Sequence, residues 1–371
     1  MEYYFQTKQM SVGYQGTPLI RDITIHLDKG EILTLIGPNG AGKSTILKSI
    51  ARQLHLIDGV VYLDKKDLAG LSGVELSRSM AVVFTEKLQT EMMTCADAVA
   101  TGRYPYTGRF GILSREDRQA VNEAMELVHV TEIKNQDFTK VSDGQRQRVM
   151  LARAICQEPE ILILDEPTSF LDIKYKLEFL SILQELCRKK RLTVIMSLHE
   201  LELAQRISDR VLCVKGEYVE CFGTPENVFQ PGYIQSLFDI EIGRFDEANS
   251  QMELQAAQGT PEVFVIAGGG TGKSVYRRLQ RDKIPFVTGI LFENDLDYPV
   301  ALALAAEVVA AEAFEPIPKE VFEEAKKKLD ECKQVICCRE KFGLLDKANE
   351  ELLAYAEEAG KVGNFPYEMK K

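Results

Sequence analysis

Residues 37–45, with the sequence GPNGAGKST, have the residue types and spacing of a loop that binds phosphate. They follow an apolar run at 31–36, which predicts a buried strand, and they precede a helical pattern at 46–54. Glycine permits backbone angles that other residues avoid, so successive N–H groups can turn towards one anion, which the dipole of the following helix also favours. The alternative is a glycine-rich turn without a ligand, and the flanking strand and helix argue against it. We therefore predict a nucleoside triphosphate site.

The side chains of this loop predict how the triphosphate is held. Lys43 supplies a positive charge for the outer phosphates, and Ser44 offers a hydroxyl to Mg²⁺. The residues of the loop that we expect to contact ATP are Gly37, Asn39, Gly40, Gly42, Lys43, Ser44 and Thr45. Tyr14, in a turn before the loop, is either an aromatic face on which adenine stacks or an ordinary loop tyrosine, and the local sequence favours neither.

Two acids follow a second apolar run, at 161–164, which predicts a buried parallel strand. Ligands of open α/β sheets bind at the carboxyl edge, so we expect Asp165 to hold Mg²⁺ through water and Glu166 to orient or deprotonate the attacking water. The alternative is a pair of solvated acids at a strand end. His199 follows the predicted strand 192–196 and is placed where it could reach a phosphate. The other three histidines have no acidic or cysteine partner at metal spacing and are predicted to be structural: His26, His55 and His129.

The order of phosphate loop, Ser-x-Gly-Gln at a helix start, strand-Asp-Glu-Pro and strand-then-His resembles the ATP-binding cassette (ABC) ATPases over roughly residues 3–244. On its own, Ser142 would be an ordinary N-cap of the predicted helix 146–156. The resemblance implies an α/β fold with a doubly wound core, an antiparallel β subdomain and a helical subdomain. It also implies that two copies close face to face, with ATP between the phosphate loop of one and the signature helix of the other.

The resemblance implies a role for each matched residue. Tyr14 matches the aromatic that stacks on adenine; Lys43, Ser44 and Thr45 match ligands of phosphate and Mg²⁺; Ser142, Gly144 and Gln145 match the signature; Asp165 and Glu166 match the Walker B acid and the general base; Asp172, after Leu171, matches the loop that joins the two sites; and His199 matches the switch histidine.

Two positions depart from the pattern. Thr85 stands where a glutamine usually helps to bind Mg²⁺ and links hydrolysis to the membrane partner, so that link would use Thr85, Glu86 or water. Asp143 replaces the first glycine of the signature. A carboxylate there repels the approaching phosphate unless it points away, so we hypothesise that closure driven by ATP is weakened.

The segment Gly102-Arg103-x-Pro105-x-x-Gly108, followed by Leu113-Ser114-x-Glu116-Asp117, is similar to cassettes of ferric-siderophore, haem and cobalamin importers. In those importers it belongs to the helical subdomain, which faces the permease. Its tyrosines and Arg103 are residue types enriched at interface centres. The resemblance implies a homodimer on integral-membrane permease subunits, with a substrate-binding protein as an indirect partner.

The C-terminal third predicts a second domain. We expect a polar linker at 245–260 and a Rossmann-like α/β domain at 261–371, after a cassette at 1–244. A degenerate phosphate-loop match begins at Ala267, but no downstream apolar strand ends in Asp-Glu, which favours a Rossmann-like glycine turn. Residues 294–298 follow a predicted strand and so belong to a ligand-side loop. Three alternatives stay open: a second ATPase site, a sensor of a small ligand or nucleotide, and a structural module without a ligand.

Composition narrows the function classes. The chain has 371 residues and a net charge of -11, which argues against a broad nucleic-acid footprint. No run reaches the roughly 18 apolar residues of a membrane span, and the N-terminus lacks the plan of a signal peptide. The 8 cysteines are scattered, as in proteins of a reducing cytoplasm. We expect an ATPase on the cytoplasmic face of the membrane. The alternatives are a soluble cassette ATPase outside transport and a cassette regulated by a ligand-sensing C-terminal domain.

Overall fold

The computed structural model describes residues 3–84, 92–108, 110–247 and 250–363. The chain forms two compact units, Met1–Phe238 and Asp239–Lys371, called here the N-terminal unit and the C-terminal unit. This division comes a few residues before the one expected from the sequence, and the two units are described separately.

The N-terminal unit is built on one large sheet with helices around it. Its strands are β1 (Phe5–Tyr14), β2 (Thr17–Ile23), β3 (His26–Leu27), β4 (Ile32–Ile36), β5 (Asp58–Leu63), β6 (Lys66–Asp67), β7 (Met80–Val83), β8 (Ile161–Asp165), β9 (Thr193–Ser197), β10 (Arg210–Lys215) and β11 (Tyr218–Gly223). Its helices are α1 (Lys43–Ile50), α2 (Gly73–Ser79), α3 (Cys95–Ala100), α4 (Arg115–Leu127), α5 (Asp143–Cys156), α6 (Ile173–Lys190), α7 (Leu201–Ile207), α8 (Pro225–Val228) and α9 (Tyr233–Leu237). Short 3₁₀ turns lie at Leu68–Gly70, Thr101–Arg103 and Thr131–Ile133.

The sheet joins a parallel core to an antiparallel layer. The strand order is β6-β5-β1-β2-β11-β10-β4-β9-β8-β7, with β3 paired to β1. The strands from β10 to β7 are parallel, and β4, β8 and β9 are buried along their whole length. Parallel strands that are buried on both faces are nearly continuous apolar runs, and these segments are apolar except for Thr34, Thr193 and the strand-end residues Asp165 and Ser197. The doubly wound core and the antiparallel β subdomain are as predicted.

The helical part packs α3 and α4 against α5. Helix starts in this region use the same device, in which a serine or threonine caps the third helical N–H and the acid or amide at that position returns the bond. Such capping boxes begin α3 at Thr94, α4 at Ser114 and α5 at Ser142. The helix that carries the predicted signature is therefore fixed at its first turn by local sequence.

One local prediction differs from the structure. The alternation of Ile23, Ile25 and Leu27 predicts a half-buried strand at 23–27. In the structure β2 occupies Thr17–Ile23, and only His26–Leu27 pair again, as β3. Gln15 and Gly16 have φ values of 51° and 80°, which suit a tight hairpin turn, so β2 folds back directly on β1.

The C-terminal unit is a small α/β domain. Its strands are β12 (Arg244–Asp246), β13 (Gln251–Glu253), β14 (Val263–Ile266), β15 (Phe286–Phe292), β16 (Glu307–Ala311) and β17 (Gln334–Cys337). Its helices are α10 (Lys273–Arg281), α11 (Tyr298–Leu304), α12 (Lys319–Glu331) and α13 (Lys347–Glu358). The hairpin of β12 and β13 lies where a linker is predicted. Neither β16 nor α12 is predicted from the sequence.

The sheet of this unit has the order β16-β15-β14-β17, and its strands are parallel. The chain starts inside the sheet, moves outward and returns to the other side of β14, which is the reversal seen in Rossmann-like folds. Apolar clusters cover both faces. Among the described residues, no helix of either unit is long and apolar enough to cross a membrane.

Candidate nucleotide site

The loop between β4 and α1 has a backbone that requires glycine. Gly37 has a φ of 146°, and a Cβ there would lie 2.1 Å from the carbonyl oxygen of Val214. Gly40 has a φ of 79°, in the left-handed region that other residues seldom adopt. At these two positions the loop therefore exposes main-chain groups rather than side chains to a bound ligand.

The lysine of the loop is held by the loop itself. Lys43 is 6% exposed, and its Nζ donates to the carbonyl oxygens of Gly37, at 2.7 Å, and Pro38, at 3.0 Å. Burial lowers the pKa of Lys43, and the nearby carboxylates Glu166 and Asp165 oppose that shift. The ammonium group is thus held beside the loop by two main-chain acceptors.

The N–H groups at the start of α1 are suited to an anion. Within the described part of the chain, no residue accepts a hydrogen bond from the N–H groups of Gly40, Gly42, Lys43 or Ser44. Orphan donors at a helix N-terminus, together with the helix dipole, make an anion site. The residues present fit the phosphates of a nucleotide.

The acids after β8 are positioned by the neighbouring strand β9. Ser197, the last residue of β9, donates from Oγ to Oδ1 of Asp165 at 2.7 Å. The same Oγ accepts from the N–H of Glu166 at 2.9 Å. Ser197 is not predicted from the sequence, where the available signal is a serine at the end of a buried strand, two residues before His199. Ser197 fixes both acids relative to the sheet edge.

Glu166 and His199 form a pair. Nε2 of His199 lies 2.5 Å from Oε1 of Glu166, and Ser169 Oγ donates to the other carboxylate oxygen at 3.3 Å. Glu166 has a φ of 50°, so the chain turns sharply at this residue. The carboxylate is consequently oriented by two partners, and one of its oxygens can still approach a water molecule.

A cleft of about 520 Å³ brings the predicted nucleotide residues together. It is lined by Tyr14, Leu19, Asn39, Gly40, Gly42, Lys43, Ser44, Thr45, Glu166 and His199. Tyr14 ends β1, is 54% exposed, and its hydroxyl lies 3.1 Å from Oγ1 of Thr45. An exposed aromatic ring beside the loop is available for stacking on a base. Gly37 and Asp165 are not among the residues that line it.

The predicted signature residues lie outside this cleft. Ser142 caps α5, accepting from the N–H of Gln145 at 3.3 Å, and Oε1 of Gln145 accepts from the N–H of Ser142 at 3.0 Å. Gly144 faces the loop after β8, where an added Cβ would lie 3.5 Å from Leu171. Asp172 caps α6 by accepting from the N–H of Tyr175 at 3.0 Å. The signature residues and Asp172 are therefore not part of the lining of the cleft in their own chain.

Two positions depart from the cassette pattern, Asp143 and Thr85, and the structure describes only the first. Asp143 pairs with Arg146 at 2.9 Å on its own helix, and its side chain is 59% exposed. That partner offsets part of the carboxylate charge. Thr85 and Glu86, predicted as possible Mg²⁺ ligands, lie outside the described residues.

Arg103 is not on a docking surface, and the prediction that it belongs to one is wrong. Its side chain is 6% exposed, and it donates to Asp117 at 2.8 Å, to Glu158 at 2.7 Å and to the carbonyl oxygen of Cys156 at 2.7 Å. A guanidinium can be buried when its donors are satisfied in this way. Arg103 ties the segment at Thr101–Arg103 to the start of α4 and the end of α5. Tyr104, the next residue, is 64% exposed.

The family described as ABC transporter matches residues 20–169, and the MJ0874 family matches residues 286–363. An uncharacterized ABC transporter ATP-binding protein of Methanocaldococcus jannaschii, MJ0873, is 42% identical over 77% of this chain and 99% of its own. The iron(3+)-hydroxamate import ATP-binding protein of Bacillus subtilis is 36% identical over 63% of this chain and 87% of its own. The cobalamin import ATP-binding protein of Halobacterium salinarum is 30% identical over 82% of this chain and 78% of its own.

Solved structures share the fold of the N-terminal unit. The dimeric structure of MJ0796, a bacterial ABC transporter cassette, matches with a TM-score of 0.53 and 26% identity, over 60% of this chain and 98% of that chain. The same cassette is also known as a dimer in a post-hydrolysis state bound to ADP and Pi.

Proposed function

This chain belongs to the ABC transporter ATP-binding proteins, and from that premise we propose that it is the ATP-hydrolysing subunit of an importer of ferric siderophores or cobalamin-type ligands. The observation that carries the proposal is the cleft that unites the phosphate loop, Tyr14 and the pair formed by Glu166 and His199. The names of the relatives support the cargo class, and the segment Gly102-Arg103-x-Pro105-x-x-Gly108 agrees with it. We include haem among the proposed cargoes, because the sequence resemblance implies importers of ferric siderophores, haem and cobalamin.

In this proposal ATP lies along the loop at the start of α1. The ring of Tyr14 stacks on adenine, the free N–H groups bind the phosphate oxygens, and Lys43 places its charge at the outer phosphates. Ser44 and Asp165 would hold Mg²⁺, which supplies positive charge to the β- and γ-phosphates when bound. Preorganised donors of this kind stabilise charge that develops in the transition state.

Glu166 receives the proton of the attacking water. Its backbone is held by Ser197 and its carboxylate by His199, so an oxygen stays at the cleft while the water is aligned. His199 acts through this carboxylate and also lines the cleft itself, where it can reach the γ-phosphate.

A second copy completes the site. Ser142, Gly144 and Gln145 lie at the start of α5 and do not line the cleft of their own chain. Asp172 caps the next helix, α6. The dimeric solved cassette supports a homodimer. In the pairing that we propose, the α5 start of one copy covers the triphosphate of the other. The dimer would sit on permease subunits at the cytoplasmic face of the membrane, with a substrate-binding protein as the indirect partner.

The proposal is tested by purifying the tagged full chain from detergent-solubilised membranes and reconstituting the complex in proteoliposomes. We expect ATP-dependent uptake of a radiolabelled ferric hydroxamate or of cobalamin, and loss of uptake with Lys43→Ala. Robust ATP hydrolysis without an associated membrane protein, and with uptake of neither ligand, would refute the importer and favour a cassette ATPase outside transport.

A further inference from the structure

The C-terminal unit contains a second glycine-rich loop, at 268–272, between β14 and α10. Its sequence, GGGTG followed by Lys273 and Ser274, places it like the first phosphate loop, after a buried strand and before a helix. The sequence left open whether it binds a nucleotide. The hydrogen bonds of its main chain address that question.

A carboxylate of the same chain lies where a phosphate would lie. Oδ2 of Asp297 accepts from the N–H groups of Gly270, at 3.1 Å, and Gly272, at 2.9 Å. Oδ1 of Asp297 accepts from the N–H of Lys273 at 3.2 Å. Both oxygens of one carboxylate are thus held by main-chain donors at the start of a nine-residue helix.

The remaining donors of the loop are also used within the chain. The N–H of Gly269 donates to both oxygens of Asp295, at 3.0 and 2.8 Å. Gly268 N–H donates to the hydroxyl of Thr271 at 3.3 Å, and Thr271 N–H donates to the carbonyl oxygen of Gly268 at 3.4 Å. From residue 268 to residue 273, every N–H group therefore has an acceptor.

The first loop provides the comparison within one molecule. There, in the part of the chain that is described, the N–H groups of Gly40, Gly42, Lys43 and Ser44 have no acceptor. The two loops share their motif and their place in the fold, and they differ in whether the chain supplies its own anion. That difference is not visible in either loop sequence.

Asp297 is built to stay in this position. Its residue is 0% exposed, it directly precedes α11, and its own N–H donates to Oδ1 of Asp295 at 2.8 Å. A buried carboxylate is costly unless it is hydrogen-bonded, and here the loop provides the bonds. An incoming phosphate would have to displace this carboxylate and leave it buried without partners.

We propose that the C-terminal unit carries an internal anion site whose resident ligand is the Asp297 carboxylate. The glycine-rich loop is closed to phosphate, and each full chain binds one nucleoside triphosphate, at the first loop. A second ATPase site and a sensor that holds nucleotide phosphate in this loop are thereby excluded. The statement about the second loop does not depend on the importer function.

Amide hydrogen exchange of the full chain, read on peptides that cover each loop, tests the proposal. Without nucleotide, we expect the amides of the second loop to exchange slowly and those of the first loop to exchange fast. ATP with Mg²⁺ should slow only the first loop, and in Lys43→Ala it should slow neither. Inorganic phosphate should leave the second loop unchanged. Slowing of the second loop in Lys43→Ala by ATP or phosphate would overturn the proposal.

Substitution of the resident ligand is the complementary test. Asp297→Ala should raise the exchange rates of Gly270, Gly272 and Lys273 at least about tenfold, since bonds to a charged acceptor contribute roughly 1.5–3 kcal/mol. Added formate or phosphate should slow them again by filling the freed site. The matched control is Glu293→Gln, which removes an exposed charge from the same segment and should change nothing.

If Asp297→Ala loses protection throughout the C-terminal unit, Asp297→Asn decides the matter. The Asn side chain keeps the shape of Asp, but one of its two terminal groups is an NH₂ donor that cannot accept from the loop N–H groups. Exchange should therefore again rise in the loop and stay slow in α12 and α13. Loop amides as protected in Asp297→Asn as in the unsubstituted chain would contradict the assignment.

Discussion

The pair formed by Glu166 and His199 allows a prediction that separates the base from the residue that positions it. Glu166→Gln keeps a hydrogen-bonding group beside His199, because an amide oxygen can occupy the place of Oε1, which lies 2.5 Å from Nε2. It also keeps the main-chain bond to Ser197. The substitution therefore removes basicity and leaves the geometry in place.

The expected size of the effect follows from the role. Positioned proton transfer contributes typically about 10²–10⁴-fold, so the rate of ATP hydrolysis should fall by that factor, equivalent to about 3–5 kcal/mol in the activation free energy. His199→Ala removes one hydrogen bond to a charged group, worth roughly 1.5–3 kcal/mol, so hydrolysis should fall about 10–150-fold. Affinity for ATP should change little in Glu166→Gln, because the phosphate loop is untouched.

The double variant is the sharpest measurement. If His199 acts through Glu166, adding His199→Ala to Glu166→Gln lowers the rate little further, because the oriented base is already absent. Single-turnover hydrolysis and equilibrium ATP binding of all four proteins complete the cycle. If the two rate losses multiply in the double variant, His199 does not act through Glu166 and the positioning role is refuted. If Glu166→Gln hydrolyses ATP at more than about a tenth of the unsubstituted rate, Glu166 is not the base.

Three further predictions concern the dimer and the helical part. Lys43→Ala and Ser142→Arg chains should each be inactive alone, but their mixture should recover hydrolysis, because a mixed dimer has one site with an intact loop and an intact signature; a mixture as inactive as its parts would contradict a shared site. Asp143→Gly should raise ATP-dependent dimerisation about two- to fivefold, as expected for an exposed charge worth at most about 1 kcal/mol, and no gain by sedimentation would reject the repulsion. Arg103→Met should lower the free energy of unfolding by roughly 3–5 kcal/mol, because it leaves the carboxylate of Asp117 buried without its partner. Adding Asp117→Asn should recover part of that loss in urea unfolding, and fully additive losses would show that the pair is not coupled.

Sequence reasoning succeeded where chemistry depends on neighbours along the chain. The phosphate loop lies between β4 and α1 as predicted, and Asp165 ends a strand buried along its whole length. Ser142 caps α5 through the residue three positions later. The spacing of apolar residues, a glycine at a turn and a helix cap all depend on residues close together in the chain, so they can be predicted from the local sequence.

It failed where a side chain's partner lies far along the chain. Arg103 is of a residue type that is common at interfaces, but its acceptors are Asp117, in α4, and Glu158, just after α5. Ser197 acquires its position only because β9 lies beside β8 in register with Asp165. The local sequence places Ser197 at the end of a buried strand, but it does not identify the partner of either residue.

The two glycine-rich loops show the division most clearly. By itself the sequence determined that each loop follows a buried strand, opens a helix and turns main-chain N–H groups outward. Only the tertiary structure decided which loop is open, because the carboxylate of Asp297 reaches the second loop across 25 residues through the packing of α11 beside α10. Hydrogen-bond donors are a local property of the chain, whereas their occupancy depends on which distant group the fold brings within about 3 Å.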